Sequence, residues 1–179
     1  MERGLPLETR RRWATDHQPL AGKDLLVQGT GTGWDILIWA ELKPRKIIAV
    51  DLFSFQESWR EVARYCLNKW GVEVLFKQNP LEDLDFIPSG TIDVCSANSV
   101  YEHCKDLEKV ARESFRILKP GGISYSVHGP LWFCAGGDHF AQEGVESAYN
   151  HILLDEKAYA AFVERHKKKT SPRCRVRDL

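Results

Sequence analysis

The chain has 179 residues, 25 basic and 25 acidic side chains, a formal net charge of zero and 43% hydrophobic content. That length suits one globular domain with a full core, and the charge balance argues against a nonspecific grip on duplex nucleic acid, which favours a basic surface. No apolar run approaches the roughly 20 residues that span a bilayer, and Glu2, Arg3, Glu8 and Arg10 interrupt any apolar leader, so a cytoplasmic protein with no membrane or nucleic-acid partner is expected.

A short first helix is expected over about residues 6–15, with Trp13 as its packing anchor. Strand one follows at 24–28, and a helix at 33–41 stops before Pro44. Strand two covers 46–50. The next helix runs from about 54 to 70, with Trp59, Val62, Ala63, Cys66 and Leu67 on one face and Gly71 as its stop. Strand three is 72–76, followed by a loop over 78–90, and strand four is 92–97. A helix over 106–118 carries Leu107, Val110, Ala111, Phe115 and Leu118 at helical spacing, and Lys119-Pro120-Gly121-Gly122 ends it before a fifth strand begins at Ile123. Strands alternating with helices predict an α/β fold with a doubly wound, mostly parallel sheet and helices on both faces.

The stretch from Leu25 to Asp51 reads LLVQGTGTGWDILIWAELKPRKIIAVD. Gly29, Gly31 and Gly33 stand at alternate positions between a strand and a helix, and Asp51 closes the next strand. This is how an open α/β sheet builds a pocket for an adenine nucleoside. Glycine lets the backbone approach a ligand, and an acid at the second strand tip can accept both ribose hydroxyls. A dinucleotide fingerprint would place its third glycine where Trp34 stands.

The glycine turn resembles motif I of the class I S-adenosylmethionine-dependent methyltransferases. Residues 92–130, IDVCSANSVYEHCKDLEKVARESFRILKPGGISYSVHGP, resemble the same superfamily, in particular small-molecule methyltransferases with a Glu-His segment, here Glu102-His103, before Leu-Lys-Pro-Gly-Gly. The resemblance covers roughly residues 20–155 and implies S-adenosyl-L-methionine as cofactor. It implies that Gly29, Thr30, Gly31 and Gly33 line the methionine and ribose side and that Asp51 binds the ribose. Leu52 and Phe53 would lie by the adenine, Asn79 or Pro80 would stand where the usual adenine-binding acid is, with Asn79 or its backbone as substitute, and Asn98 would wall the methionine end. It divides the chain into an N-terminal cap (1–20), a nucleoside-binding core (21–128) and a substrate-side segment (129–179).

Two departures stand out. Family members usually carry an acid two residues before the first glycine, where this chain has Val27. The fold usually ends in a reversed seventh strand, whereas residues after Val127 read as loop and helix, so the sheet is expected to be abbreviated or the domain truncated. Missing strands would expose an edge at which two copies could pair.

Residues 129–159 are expected to choose the methyl acceptor, with Trp132, Phe133, Phe140 and Tyr149 as apolar surface and Asp138, His139 and His151 as polar groups. Methyl transfer needs proximity and orientation, and an oxygen nucleophile must also lose a proton. Histidine has the suitable pKa, which nominates His139, then His103, then His128. Five cysteines, at 66, 95, 104, 134 and 174, form no C-x-x-C pair, and no metal site is expected. Cys95 reads as a core residue, and packing is favoured over a catalytic thiol for Cys104 and Cys134. The reading is a methyltransferase acting on a small molecule such as a sugar or secondary metabolite, with oxygen ahead of nitrogen as acceptor. The alternative is a degenerate nucleoside-binding or noncatalytic partner domain.

Overall fold

A computed structural model describes residues 7–138 and 147–167. The chain falls into two compact units, Met1–Val127 and His128–Leu179. The first contains α1 (Leu7–His17), β1 (Asp24–Gln28), α2 (Ile36–Ala40), β2 (Lys46–Asp51), α3 (Gln56–Trp70), β3 (Glu73–Gln78), β4 (Ile92–Asn98), a 3-10 turn (Tyr101–His103), α4 (Leu107–Ile117) and β5 (Leu118–Val127). Among the described residues the sheet has five parallel strands in the order β3-β2-β1-β4-β5. The strand order reverses between β1 and β4, which makes the carboxyl ends of these two strands the topological switch point.

The strands bury both faces, as a parallel sheet covered by helices requires. Leu25, Val27, Ile47, Ala49 and Val74 pack with Ile36 and Trp39 of α2 and Val62 and Cys66 of α3. Leu26, Ile48, Val50 and Cys95 turn the other way, onto Val110 and Ile117 of α4 and onto Leu81, Leu84 and Ile87 of the loop after β3. That loop is held by Arg116, which donates to the carbonyls of Leu84 and Ile87 (2.8 and 2.9 Å) and pairs with Glu113.

Several elements depart from the periodicity reading. Trp13 is half exposed, and Ala14 beside it is buried. The second helix begins at Ile36 instead of 33, because Gly33 closes the preceding turn with φ +88°. Leu67 of α3 is exposed. The inner face of α4 is Val110, Ser114 and Ile117, while Leu107 and Phe115 face outward, Phe115 at 83% exposure. A polar residue takes the core position because Ser114 has a buried partner in Gln28.

The fifth strand starts at Leu118 instead of 123. Leu118 pairs with Ile92 and Ile123 pairs with Val94, so Lys119-Pro120-Gly121-Gly122 is a bulge set against Asp93. Lys119 reaches back across it to the Asp93 carboxylate at 2.7 Å. The helix stop and the strand start are therefore one device.

The second unit contains α5 (Asn150–Leu153) and α6 (Glu156–Lys167). Among the described residues of this unit, Tyr159 Oη donates to the buried Asp138 carboxylate at 3.1 Å, and His151 Nδ1 lies 3.9 Å from the same group. His151 Nε2 meets the Trp132 carbonyl and must donate to it. Asp138 and His151 thus hold this unit together, where the sequence suggested proton-accepting groups of a substrate surface. Burial, then the Asp138 charge, pushes the Tyr159 phenol above its ordinary range.

Candidate functional site

At the carboxyl end of β1 the chain leaves the sheet through Gly29 and Thr30, whose N–H groups both donate to the Val50 carbonyl (2.8 and 3.2 Å). Gly29 is sterically fixed: a Cβ there would lie 2.3 Å from Val100 Cγ2. Gly31 is the opposite case. It has φ +52°, yet a Cβ would meet nothing within 4 Å. It leaves the backbone of the turn open to close approach by a ligand.

Asp51 ends β2 beside this turn. One carboxylate oxygen accepts from Gly31 N–H (2.7 Å) and the other from Phe53 N–H (2.9 Å). An ionised carboxylate offers about four acceptor sites, so two protein bonds orient Asp51 and leave capacity for hydroxyl donors. The turn is braced from below by α3, where Trp59 Nε1 donates to the Gly31 carbonyl (2.7 Å) and Ser58 Oγ to the Thr32 carbonyl (2.7 Å). Trp59 is itself stacked on Phe76, with ring centroids 5.2 Å apart. Sequence reasoning placed Trp59 only on a core face. Its indole N–H was the available signal, since a buried tryptophan needs an acceptor.

The remaining expected residues divide in two. Asn98 ends β4 at the switch point, and its Oδ1 is buried without a hydrogen-bond partner, as is Thr30 Oγ1 on the glycine turn. Leu52 and Phe53 are exposed beyond Asp51. Asn79 turns inward to its own loop, its amide donating to the carbonyls of Pro80 and Asp83, while its backbone N–H donates to Asp51 O (2.9 Å). The backbone link brings Asn79 to the site, and the side chain is committed to holding the loop.

Of the candidate bases, His103 is exposed on the 3-10 turn after β4, where its N–H donates to the Val100 carbonyl (2.9 Å). His128 is exposed at the start of the second unit, and His139 lies outside the described residues. Burial, then the negative charges of Glu82 and Glu102, raises the Cys104 thiol to about 11, and burial raises Cys95 to about 12. Both stay protonated at neutral pH, which removes them as nucleophiles. Among the described residues no group of three metal-binding side chains exists, and no helix is long and apolar enough to cross a membrane.

An open backbone turn and an oriented carboxylate at the ends of β1 and β2 fit a ligand with a ribose, and two buried oxygens without a hydrogen-bond partner lie on that turn and on the last residue of β4. Residues 26–126 match the family described as "Methyltransferase domain". The chain belongs to this family. A ubiquinone biosynthesis O-methyltransferase of Azotobacter vinelandii is 33% identical over 113 residues, covering 63% of this chain and 47% of that protein. An arsenite methyltransferase of Aquipseudomonas alcaligenes is 31% identical over 112 residues, covering 59% of this chain and 32% of that one. In structure, the chain resembles an arsenic(III) S-adenosylmethionine methyltransferase from Chlamydomonas reinhardtii, with TM-score 0.56, 27% identity and coverage of 60% and 39% of the two chains. The chain thus spans less than half of these relatives' length. Methyltransferase family and fold together imply S-adenosylmethionine as the cofactor.

Proposed function

We propose that the chain carries out S-adenosylmethionine-dependent methyl transfer to a small-molecule acceptor, with oxygen ahead of nitrogen. The observation that carries this reading is the junction of Gly31 and Asp51, where an open glycine after β1 is bonded to an oriented acid at the end of the neighbouring strand β2. When bound, S-adenosylmethionine supplies a sulfonium methyl group that a nucleophile can displace in line. The chain's own residues bind and orient. Asp51 accepts the ribose hydroxyls, Gly31 admits the nucleoside to the backbone, and Thr30 and Asn98 offer acceptor oxygens deeper in the crevice. Leu52 and Phe53 supply apolar surface for the adenine. His103 on its turn, or His139 or His128 in the segment after β5, takes the acceptor's proton at a ring nitrogen. Support for oxygen comes from the O-methyltransferase among the relatives, while the arsenite enzyme shows that similar chains serve other acceptors.

The second reading, a noncatalytic nucleoside-binding partner domain, is favoured by one feature. Val27, where the family carries an acid, is buried in the core and offers nothing to a ligand's amino group. Calorimetric titration with S-adenosylmethionine, S-adenosylhomocysteine and NAD tests the site. Micromolar binding of the two sulfur nucleosides without NAD binding is expected. No binding of either would overturn the proposal. Binding without turnover across an acceptor screen, with no S-adenosylmethionine converted to S-adenosylhomocysteine, would move the chain to the second reading.

A further inference from the structure

Gln28 is the last residue of β1, adjacent to Gly29, and its side chain is completely buried. A primary amide in an apolar interior must have both ends satisfied, since either one left alone carries the full cost of desolvation. Both are satisfied here from elements distant in sequence. Tyr101 Oη donates to Gln28 Oε1 at 2.8 Å, and Gln28 Nε2 donates to Ser114 Oγ at 3.0 Å. Tyr101 opens the 3-10 turn after β4, and Ser114 sits on the inner face of α4. Burial pushes the Tyr101 phenol above its ordinary range against opposing hydrogen bonds from Ser114 and from Ser124 of β5, so it remains a donor to Gln28 at neutral pH.

The segment that Tyr101 ties down is strained. Ser99 has φ +52°, a left-handed conformation that a non-glycine residue adopts only when its surroundings impose it. It lies between Asn98, whose Oδ1 is buried without a partner, and Val100, whose methyl groups rest on Gly29. Ser99 N–H to Val127 O (2.7 Å) pins that residue's own backbone to the sheet. The two sides of the crevice, glycine turn and post-β4 segment, are therefore registered to each other through Val100 against Gly29 and through Tyr101 on Gln28.

We infer that Gln28, Tyr101 and Ser114 form a positioning latch that holds the strained Asn98–Val100 segment in the geometry that receives the methionine end of the cofactor. Gln28 and Ser114 are buried away from the surface, and Tyr101 is partly buried. They act through Ser99 and Val100, and the inference rests on the proposed S-adenosylmethionine site. A hydrogen bond between two buried groups has one acceptable direction and length, whereas apolar contact tolerates sliding. The latch thus sets the crevice before ligand arrives, and its value is preorganisation.

The test uses the full 179-residue chain, with S-adenosylhomocysteine as the probe in calorimetry. Tyr101→Phe is expected to raise the dissociation constant about tenfold, the size of one modest hydrogen-bond contribution. The double variant Gln28→Leu/Tyr101→Phe removes both polar partners, and Ser114 can turn to the carbonyl one helical turn back. Its melting temperature should return towards that of the unaltered protein while its affinity stays reduced. Affinity that recovers together with stability would overturn the latch and leave a purely structural role. So would a Tyr101→Phe protein that binds as the unaltered chain does. Failure of the unaltered chain to bind would instead sink the cofactor reading. Should the variants not fold, amide hydrogen exchange on the unaltered, ligand-free chain decides. His103 and Cys104 should be protected as strongly as the end of β4, and exchange at loop rates would refute the inference.

Discussion

Gly31 and Asp51 show how a few atoms separate pocket from scaffold. Gly31 meets nothing when given a Cβ, so Gly31→Arg should keep the fold, at a cost of about 1–2 kcal/mol for its left-handed backbone, and abolish S-adenosylhomocysteine binding. Circular dichroism together with calorimetry reads both halves, and unchanged affinity would mean that the ligand lies elsewhere. Gly29→Ala is the control of opposite kind, because its new methyl would collide with Val100 and should lower the melting temperature. Asp51→Asn keeps one acceptor oxygen but turns an NH2 towards either Gly31 N–H or Phe53 N–H. Losing charge-assisted bonds to backbone and ribose should weaken S-adenosylhomocysteine by about 10- to 100-fold, while urea unfolding shifts only modestly. A loss of stability matching the loss of affinity would show Asp51 to be a turn brace alone.

Elements were legible where one period dominated and illegible where a polar partner or a bulge decided. Strands β1, β2 and β4 are buried along almost their whole length, and continuous apolar runs announced them. The face of α4 was misjudged because hydrophobicity alone selects Phe115, whereas the core takes Ser114 to satisfy a glutamine 86 residues away. The same holds at the start of β5, where Lys-Pro-Gly-Gly reads as a stop but serves as a bulge locked by Lys119 on Asp93. Burial pushes the Asp93 carboxyl up, but Asp24 N–H, Lys119 and Lys23 outweigh it and hold it below its ordinary value of 3.8. A carboxyl lowered by folding contributes stability that is complete above that ordinary value and disappears as pH falls through the lower folded one. Glu113, held down by Arg116 and by Leu84 N–H against its burial, adds to the same slope. Urea midpoints should therefore fall between pH 5 and pH 2, on the order of the carboxylate range. Lys119→Met should flatten part of that slope; a slope as steep as the unaltered chain's would show that the bulge owes nothing to this pair. Asp93→Ala, which strips the acceptor from a buried backbone N–H, should cost about 2 kcal/mol at neutral pH.

At the scale of the molecule, every residue assigned to the nucleoside lies before Val127, the last residue of the first unit. Both hydrophobic clusters of the sheet also close within that unit, one under α2 and α3 and the other under α4. The second unit has its own interior around Asp138, His151 and Tyr159, and two of the three candidate bases belong to it. The residues proposed for the nucleoside thus all lie in the first unit, whereas the proposed bases are divided between His103 in the first unit and His128 and His139 in the second. The glycine turn and its bond to Asp51 were readable from sequence because a tight strand-to-helix turn demands glycines at fixed spacing beside the tip of the next strand. The acceptor was not, because loop surfaces carry specificity through shapes that no short pattern encodes. A fragment of residues 1–127 should consequently bind S-adenosylhomocysteine within about threefold of the full chain, since equal contacts give equal free energies. Saturating ligand should stabilise it accordingly, by about 2.7 kcal/mol at a hundredfold excess over the dissociation constant. His103→Ala in the full chain should leave that affinity unchanged, because a base that serves only the acceptor has no bond to the nucleoside. A folded fragment that has lost its affinity would place part of the nucleoside site after β5, and the division of labour would have to be redrawn.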